Sequence, residues 1–277
     1  WNIIEEGFNQ DNHEVSEGIF SIGNGYMGQR ANFEEKYSGK SLQGSYMAGV
    51  YYPDKTRVGW WKNGYPEYFA KVLNSTNWIG IDVSIDGETL DLAKCEVKDF
   101  VRILNMKEGY LHRSFTAKLA SGKEVKVDAK RFVSIATKEI GAIRYSITPV
   151  NFEATLCISA YLDGNIKNED SNYDEKFWDE ISKQCNKDQS SLIVKTKKLD
   201  FHMCSAMKLD IFRADKKVDF NAEFIQSEKF VGNTVNLSVK QNEEIVVYKY
   251  VCNVTSRDYT VEELLAVDKK ILDKAYE

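Results

Sequence analysis

The run Ile79-Gly80-Ile81-Asp82-Val83-Ser84-Ile85 alternates apolar with small or polar side chains and ends at Asp86-Gly87. Successive side chains of a β-strand point to opposite faces, so this alternation describes a strand with one buried face, and Asp-Gly is a strong two-residue hairpin signal. The same pattern recurs in residues 124–129, entered through Ser121-Gly122, and in residues 236–240. Residues 143–150, 154–162, 191–196, 206–212 and 245–252 add further β-rich segments. Turn residues punctuate these segments roughly every 10 positions, which is the pattern of a large antiparallel sandwich. Residues 165–189, acidic and polar around Phe177-Trp178, break the rhythm and are expected to form a long excursion with a short helix at 174–183. The chain shows no internal repeat and no low-complexity linker.

A chain of 277 residues with 43% apolar content can build one large β core. Its 29% charged residues are mixed in sign with a net charge of −5, so there is no basic footprint for nucleic acid. No apolar run approaches the roughly 18 residues of a membrane-spanning helix, and no signal-peptide pattern is present. The sequence opens on Trp1 with no initiator methionine, which leaves a removed signal open. Five cysteines, Cys95, Cys157, Cys185, Cys204 and Cys252, are odd in number and widely scattered. Neither a disulfide framework nor a zinc site has that spacing, so reduced thiols in or between strands, and hence a cytoplasmic location, are expected.

Gly23-Asn24-Gly25-Tyr26-Met27-Gly28 spells the G-x-G-x-x-G of a dinucleotide-binding loop. Such a loop needs a helix after it, to aim its N-terminus at the pyrophosphate, and an acid about 20 residues on for the ribose. No helical apolar spacing follows Gly28, and Asp54 lies in Tyr52-Pro53-Asp54-Lys55, which reads as a turn. The glycines are therefore expected to serve a β-arch, through positive φ or close backbone approach. Other chemistry is equally thin. Glu34-Glu35 and Glu243-Glu244 are adjacent acids, but neighbours on a strand face opposite ways and cannot flank one bond, so they read as solvated carboxylates. His13, His112 and His202 lack metal-site spacing, His112 is expected on a strand beside Arg113, and no serine occupies a nucleophile elbow. No catalytic residue is expected within the chain.

Trp60-Trp61-Lys62-Asn63-Gly64-Tyr65 is the strongest binding candidate. Aromatic faces stack on sugar rings and amides bond hydroxyls, so Trp60, Trp61 and Tyr65 suit the rim of a saccharide pocket; they suit an interface with another domain or a second copy equally. Arg30 and Glu35 are substrate-proximal candidates for which a structural ion pair is the leading expectation. At the C-terminal end Thr260-Val261-Glu262-Glu263 has capping-box spacing, and Leu264, Leu265, Ile271, Leu272 and Ala275 share a face of the helix it announces. That helix has no partner helix in view and reads as the start of a connection to another domain.

Several motifs, in order, resemble one family. Residues 21–30, then Phe33-Glu34-Glu35, residues 44–51, Leu73-Asn74-Ser75-Thr76-Asn77-Trp78, residues 108–114, Ile147-Thr148-Pro149-Val150-Asn151, Leu162-Asp163-Gly164 and Thr255-Ser256-Arg257-Asp258 resemble the N-terminal domain of glycoside hydrolase family 65. That family holds the maltose, trehalose, kojibiose and nigerose phosphorylases. Ala31 and Thr76 depart from the pattern, where Gly and Pro are usual. The resemblance implies an all-β fold, a large antiparallel supersandwich of the galactose mutarotase-like kind over residues 1–258. It further implies that residues 259–277 begin a helical linker to an (α/α)6 barrel outside this sequence. The barrel would supply a general-acid Glu, and inorganic phosphate would attack the anomeric carbon in place of the water and base carboxylate of an inverting hydrolase, whose carboxyls stand about 6.5–9.5 Å apart. The implied role is a non-catalytic domain supporting and covering the barrel's site, with no cofactor of its own, with inorganic phosphate as the parent's co-substrate, with an oligosaccharide as its substrate and with a homodimer as a further implied partner. An independent carbohydrate-binding module and the sandwich of a family 65 hydrolase are the alternatives.

Overall fold

The computed structural model describes residues 1–56, 66–169 and 175–276. The chain begins with β1 (Asn2–Glu6), a 3-10 turn (Gln10–Asn12) and α1 (His13–Ile19). A three-stranded meander of β2 (Ile22–Gly23), β3 (Met27–Gln29) and β4 (Ser45–Met47) follows, then a hairpin of β5 (Tyr51–Lys55) and β6 (Tyr68–Val72). Next come β7 (Ile81–Ile85), β8 (Glu88–Thr89), β9 (Glu96–Asn105), β10 (Tyr110–Lys118), β11 (Glu124–Val133) and β12 (Ile140–Pro149). The chain continues through β13 (Ala154–Asp163), β14 (Trp178–Cys185), β15 (Gln189–Thr196), β16 (His202–Arg213) and β17 (Lys216–Lys217). It ends with β18 (Glu223–Ser227), β19 (Phe230–Val239), β20 (Ile245–Thr255) and α2 (Leu264–Tyr276).

Two antiparallel sheets make the sandwich. The larger has the order β1-β9-β10-β11-β12-β20-β16-β15-β14, with β17 attached to β16; the smaller runs β18-β19-β13-β7-β8. The alternating strands bury the side chains their period assigns: Ile81, Val83 and Ile85 of β7, and Val125, Val127 and Ala129 of β11, lie in one continuous core. Asp86 (φ 49°) and Gly87 (φ 84°) make the expected left-handed turn between β7 and β8. Trp78 is 1% exposed, and a Cβ on Gly141 of the larger sheet would lie 2.8 Å from its ring, so that glycine makes room for the indole. Lys249 of β20, wholly buried, reaches across the core to donate to the carbonyls of Gly80 (2.9 Å) and Tyr161 (2.7 Å), a polar pin between the sheets. Burial pushes its ammonium well below the ordinary lysine range.

Two local expectations are corrected. Residues 178–185 form strand β14 and not a helix: β14 pairs along β15 as the edge of the larger sheet, anchored by buried Trp178, whose Nε1 donates to the Asn74 carbonyl at 2.8 Å. Cross-strand bonding and one anchored aromatic outweigh the polar composition that suggested a helix. Tyr52-Pro53-Asp54-Lys55 is likewise strand, in β5. Its hairpin is a two-stranded sheet, so Pro53 sits where only one side of the strand must be bonded.

At the C-terminal end Thr260 Oγ1 donates to the Glu263 carboxylate (2.7 Å), and α2 begins at Leu264, one residue after that pair. The helix packs back on the outer face of β16 and β20, burying Leu264 and Leu272 against Ile140, Ile193, Ala206 and Val254. Its apolar stripe thus has a partner within the chain. No described helix is long and apolar enough to cross a membrane.

Candidate functional site

Gly23 to Gly28 is a β-hairpin end. Asn24 Oδ1 accepts from the backbone N–H groups of Tyr26 (3.0 Å) and Met27 (2.9 Å), and its amide donates to the carbonyls of Ser134 and Lys138. Only Gly25, at φ 85°, needs glycine for its backbone angle among these three, and the chain leaves Gly28 as strand β3. The segment after Gly28 is thus strand and not the helix whose N-terminus would face a pyrophosphate.

The meander, the β5–β6 hairpin and the loop 30–45 instead shape a band of connected grooves. One of about 670 Å³ is lined by Phe33, Glu35, Tyr37, Gln43, Asp82 and Tyr161 among others. Gln43 and Glu169 also line the next, of about 340 Å³, with Arg30, Tyr46 and Val72. Tyr46 and Val72 continue into an apolar groove of about 530 Å³ walled by Tyr26, Met27, Met47, Val50, Tyr51 and Ala70. Near this end Tyr51, Tyr68, Phe69 and Val72 of the hairpin are exposed. Gly49 (φ 71°) lets Arg257 approach and donate to the Ala48 carbonyl (2.8 Å); a Cβ there would sit 1.7 Å from the guanidinium.

Beneath the grooves lies a buried charge network that holds the loop in shape. Arg113 donates to both oxygens of Glu35 (2.5 and 2.6 Å) and to Glu34 (2.6 Å). Arg131 donates to Glu34 (2.8 Å) and to the carbonyls of Asn32 and Arg30, each 2.9 Å. Burial alone would raise the Glu34 pKa, but Arg131 and Arg113 outweigh it and hold the carboxyl below its ordinary range. Burial would also lower Arg113, yet Glu35 and Glu34 raise it; Arg131, with one such partner, is lowered by burial. On the other side of the loop, Glu17 of α1 accepts from Ser41 Oγ (2.5 Å), Asn32 Nδ2 (2.8 Å) and the Leu42 N–H (2.7 Å). Burial would raise Glu17 too, and His13, Ser41 and Leu42 bring it below the ordinary range. Asn74 ties three segments behind the grooves' lining residue Gln43, accepting from the Ser45 N–H (2.8 Å) and donating to the carbonyls of Gln43 (2.7 Å) and Lys167 (3.1 Å).

The expectation that Glu34 and Glu35 are solvated is therefore wrong: both are buried. Residues 34 and 35 form a bend and not a strand, so both side chains converge on one guanidinium. Arg30 does not pair with Glu35. Its Nη2 donates to the Glu14 carbonyl (2.9 Å), and its stem fills the space a Cβ on Gly44 would need. Glu243 and Glu244 separate, toward Arg213 (3.5 Å) and Arg144 (3.0 Å). Trp60, Trp61 and Tyr65 lie outside the described residues; β5 and β6, which flank residues 57–65, border the apolar groove. His112 sits on β10 beside Arg113 and pairs with Asp128 (2.7 Å). Among the described residues no group of three His, Cys, Asp or Glu could hold a metal ion.

Arg113 and Arg131 were not singled out from the sequence as charge partners, although a signal exists. Arg113 is in phase with Leu111 and Phe115, and Arg131 with Val127, Ala129 and Val133, all inward positions. An arginine in the buried phase of a strand requires a carboxylate partner.

The profile described as "Glycosyl hydrolase family 65, N-terminal domain" matches residues 3–277. The chain belongs to that family. Maltose phosphorylase of Bacillus subtilis (strain 168) is 42% identical over 272 residues, 98% of this chain and 35% of that protein. Alpha,alpha-trehalose phosphorylase of Thermoanaerobacter brockii is 30% identical over 290 residues, 99% of this chain and 37% of that protein. A solved structure provisionally named as a kojibiose phosphorylase, from human microbiome, superposes with a TM-score of 0.86 at 27% identity, covering 99% of this chain and 35% of that one. This family 65 domain thus spans little more than a third of the length of the relatives it matches.

Proposed function

We propose that this family 65 domain is the non-catalytic N-terminal sandwich of an α-glucoside phosphorylase. The likeness to maltose phosphorylase over nearly the whole domain, reaching only 35% of that enzyme, carries the reading. The site itself is consistent with it: Glu34 and Glu35 under the grooves are paired with Arg113 and Arg131, so neither is a free acid or base for a glycosidic bond. In this reading the grooved, aromatic face receives the rest of the polypeptide, an (α/α)6 barrel that carries the general acid and the phosphate site, and residues 259–277 lead into it. Phosphorolysis of an α-linked glucose disaccharide to β-glucose 1-phosphate then belongs to the barrel, and the sandwich shapes the access to it.

The 277-residue chain is accordingly expected to release no glucose 1-phosphate from maltose, trehalose or kojibiose in phosphate buffer. A polypeptide continuing to the length of its relatives is expected to do so with one of them. Phosphate-dependent turnover by the short chain would overturn the assignment; sugar release without phosphate by the long one would make the parent a hydrolase; tight glucan binding by the short chain, with an inactive long one, would favour a carbohydrate-binding module. If Trp60 and Trp61 cover the barrel's mouth, Trp60→Ala with Trp61→Ala in the long polypeptide should raise KM about tenfold or more at little cost to kcat, since stacked aromatic faces contribute about 0.5–1.5 kcal/mol each beyond their area. An unchanged KM with altered association between copies would assign these residues to an interface.

A further inference from the structure

Helix α2 carries an acid in the middle of its buried stripe. Leu264, Asp268 and Leu272 are the buried residues of the helix, at successive i, i+4 positions that face the sheet together. Asp268 is 0% exposed, and among the described residues no N–H or O–H group donates to either of its carboxylate oxygens. Its polar neighbours are the thiols of Cys252 on β20 and Cys204 on β16. Both cysteines are buried and free, and they lie in the same apolar cluster as Ile140, Ile193 and Val254. A carboxylate without a charged or N–H partner in such surroundings is costly, whereas a neutral carboxyl between two thiols is tolerated.

We propose that α2 is a proton-dependent latch: it docks on the outer face of the larger sheet with Asp268 neutral, and alkalinisation weakens that docking. The other ionisable groups around the helix do not neutralise Asp268. From β16, Lys208 turns to Asp273 (3.6 Å), while Asp210 accepts from Tyr276 (2.7 Å) and pairs with Lys217 of β17 (2.6 Å). From β20, Tyr250 packs edge-on against Tyr276. At the β12 end, Glu139 accepts from Tyr259 (3.3 Å) and Lys138 pairs with Asp258 (3.2 Å). On α2 itself Lys269 donates to Gln184 of β14 (3.0 Å) and exerts only a weak opposing pull on Asp268. Burial dominates and pushes the Asp268 carboxyl up to about 8. The sign follows from that direction. The docked helix holds the proton more tightly than the released one, so docking is strongest below the ordinary aspartate range. It weakens as pH rises toward about 8, and changes no further above it.

Alkylation of Cys204 and Cys252 in the intact chain, followed residue by residue by mass spectrometry, reads the latch directly. Dividing each rate by that of Asp268→Asn at the same pH removes the thiol's own ionisation. The ratio is expected to climb by up to about tenfold per pH unit between roughly pH 5.5 and 7.5 and to level off above about 8. Asp268→Leu, which keeps the stripe apolar, should label more slowly than the wild type at both thiols at pH 8. A pH-independent ratio would overturn the proposal. So would faster labelling of Asp268→Leu than of the wild type at pH 8, or hydrogen exchange on β11 opening in step with the thiols, which would mean global unfolding in place of helix release.

Discussion

Arg113→Ala is expected to destabilise the domain by about 3–5 kcal/mol, because it leaves two buried carboxylates facing each other without their shared guanidinium. Glu34 and Glu35 are each 3% exposed, so water cannot take over the missing charge without opening the loop 30–45. The guanidinium also lies over the rings of Phe33 (4.4 Å) and Phe115 (5.0 Å), so its loss removes packing as well as charge. Urea unfolding should show a lowered midpoint. Adding Glu35→Gln to Arg113→Met should recover part of the loss, since Glu34 keeps Arg131 as its partner and a neutral amide at 35 needs no counter-charge. A cost under about 1 kcal/mol for Arg113→Ala would mean that Arg131 or an altered loop neutralises both acids, and that the network does not hold the groove in shape.

Trp78→Ala should be comparably severe, at about 3–5 kcal/mol, through the cavity left in the core. Trp78 ends the stretch 73–78 that leads from behind the grooves into β7, so the same segment ties the grooved face to the core. Gly141 lies against the indole, and Gly141→Ala should therefore be destabilising alone and close to neutral when combined with Trp78→Ala. Strict additivity in that double-mutant cycle would refute the packing account.

How much of this was legible in the chain varies with the range of the interaction. Period-two alternation from β7 to β20, the Asp86-Gly87 turn and the ordered family motifs are local or linear features, and they sufficed for the all-β sandwich and the family. That no helix follows Gly28 was also legible, and the chain continues there as β3. Partner choice was not legible. Arg113 lies 79 and 78 residues from Glu34 and Glu35, Lys249 lies 169 residues from Gly80, and Asp268 meets thiols on two other strands. Each charge reads as ordinary surface until the sheets close over it, and the helix expected at 174–183 gives way to β14 from Trp178 because β15 offers a strand to pair with. Side-chain period depends on the backbone of one segment, and so the sequence by itself determined the strands, their buried faces and the kinship. Desolvation depends on what arrives from elsewhere in the fold, and so only the tertiary structure decided which carboxylates are clamped, which face is left grooved and aromatic, and where α2 comes to rest.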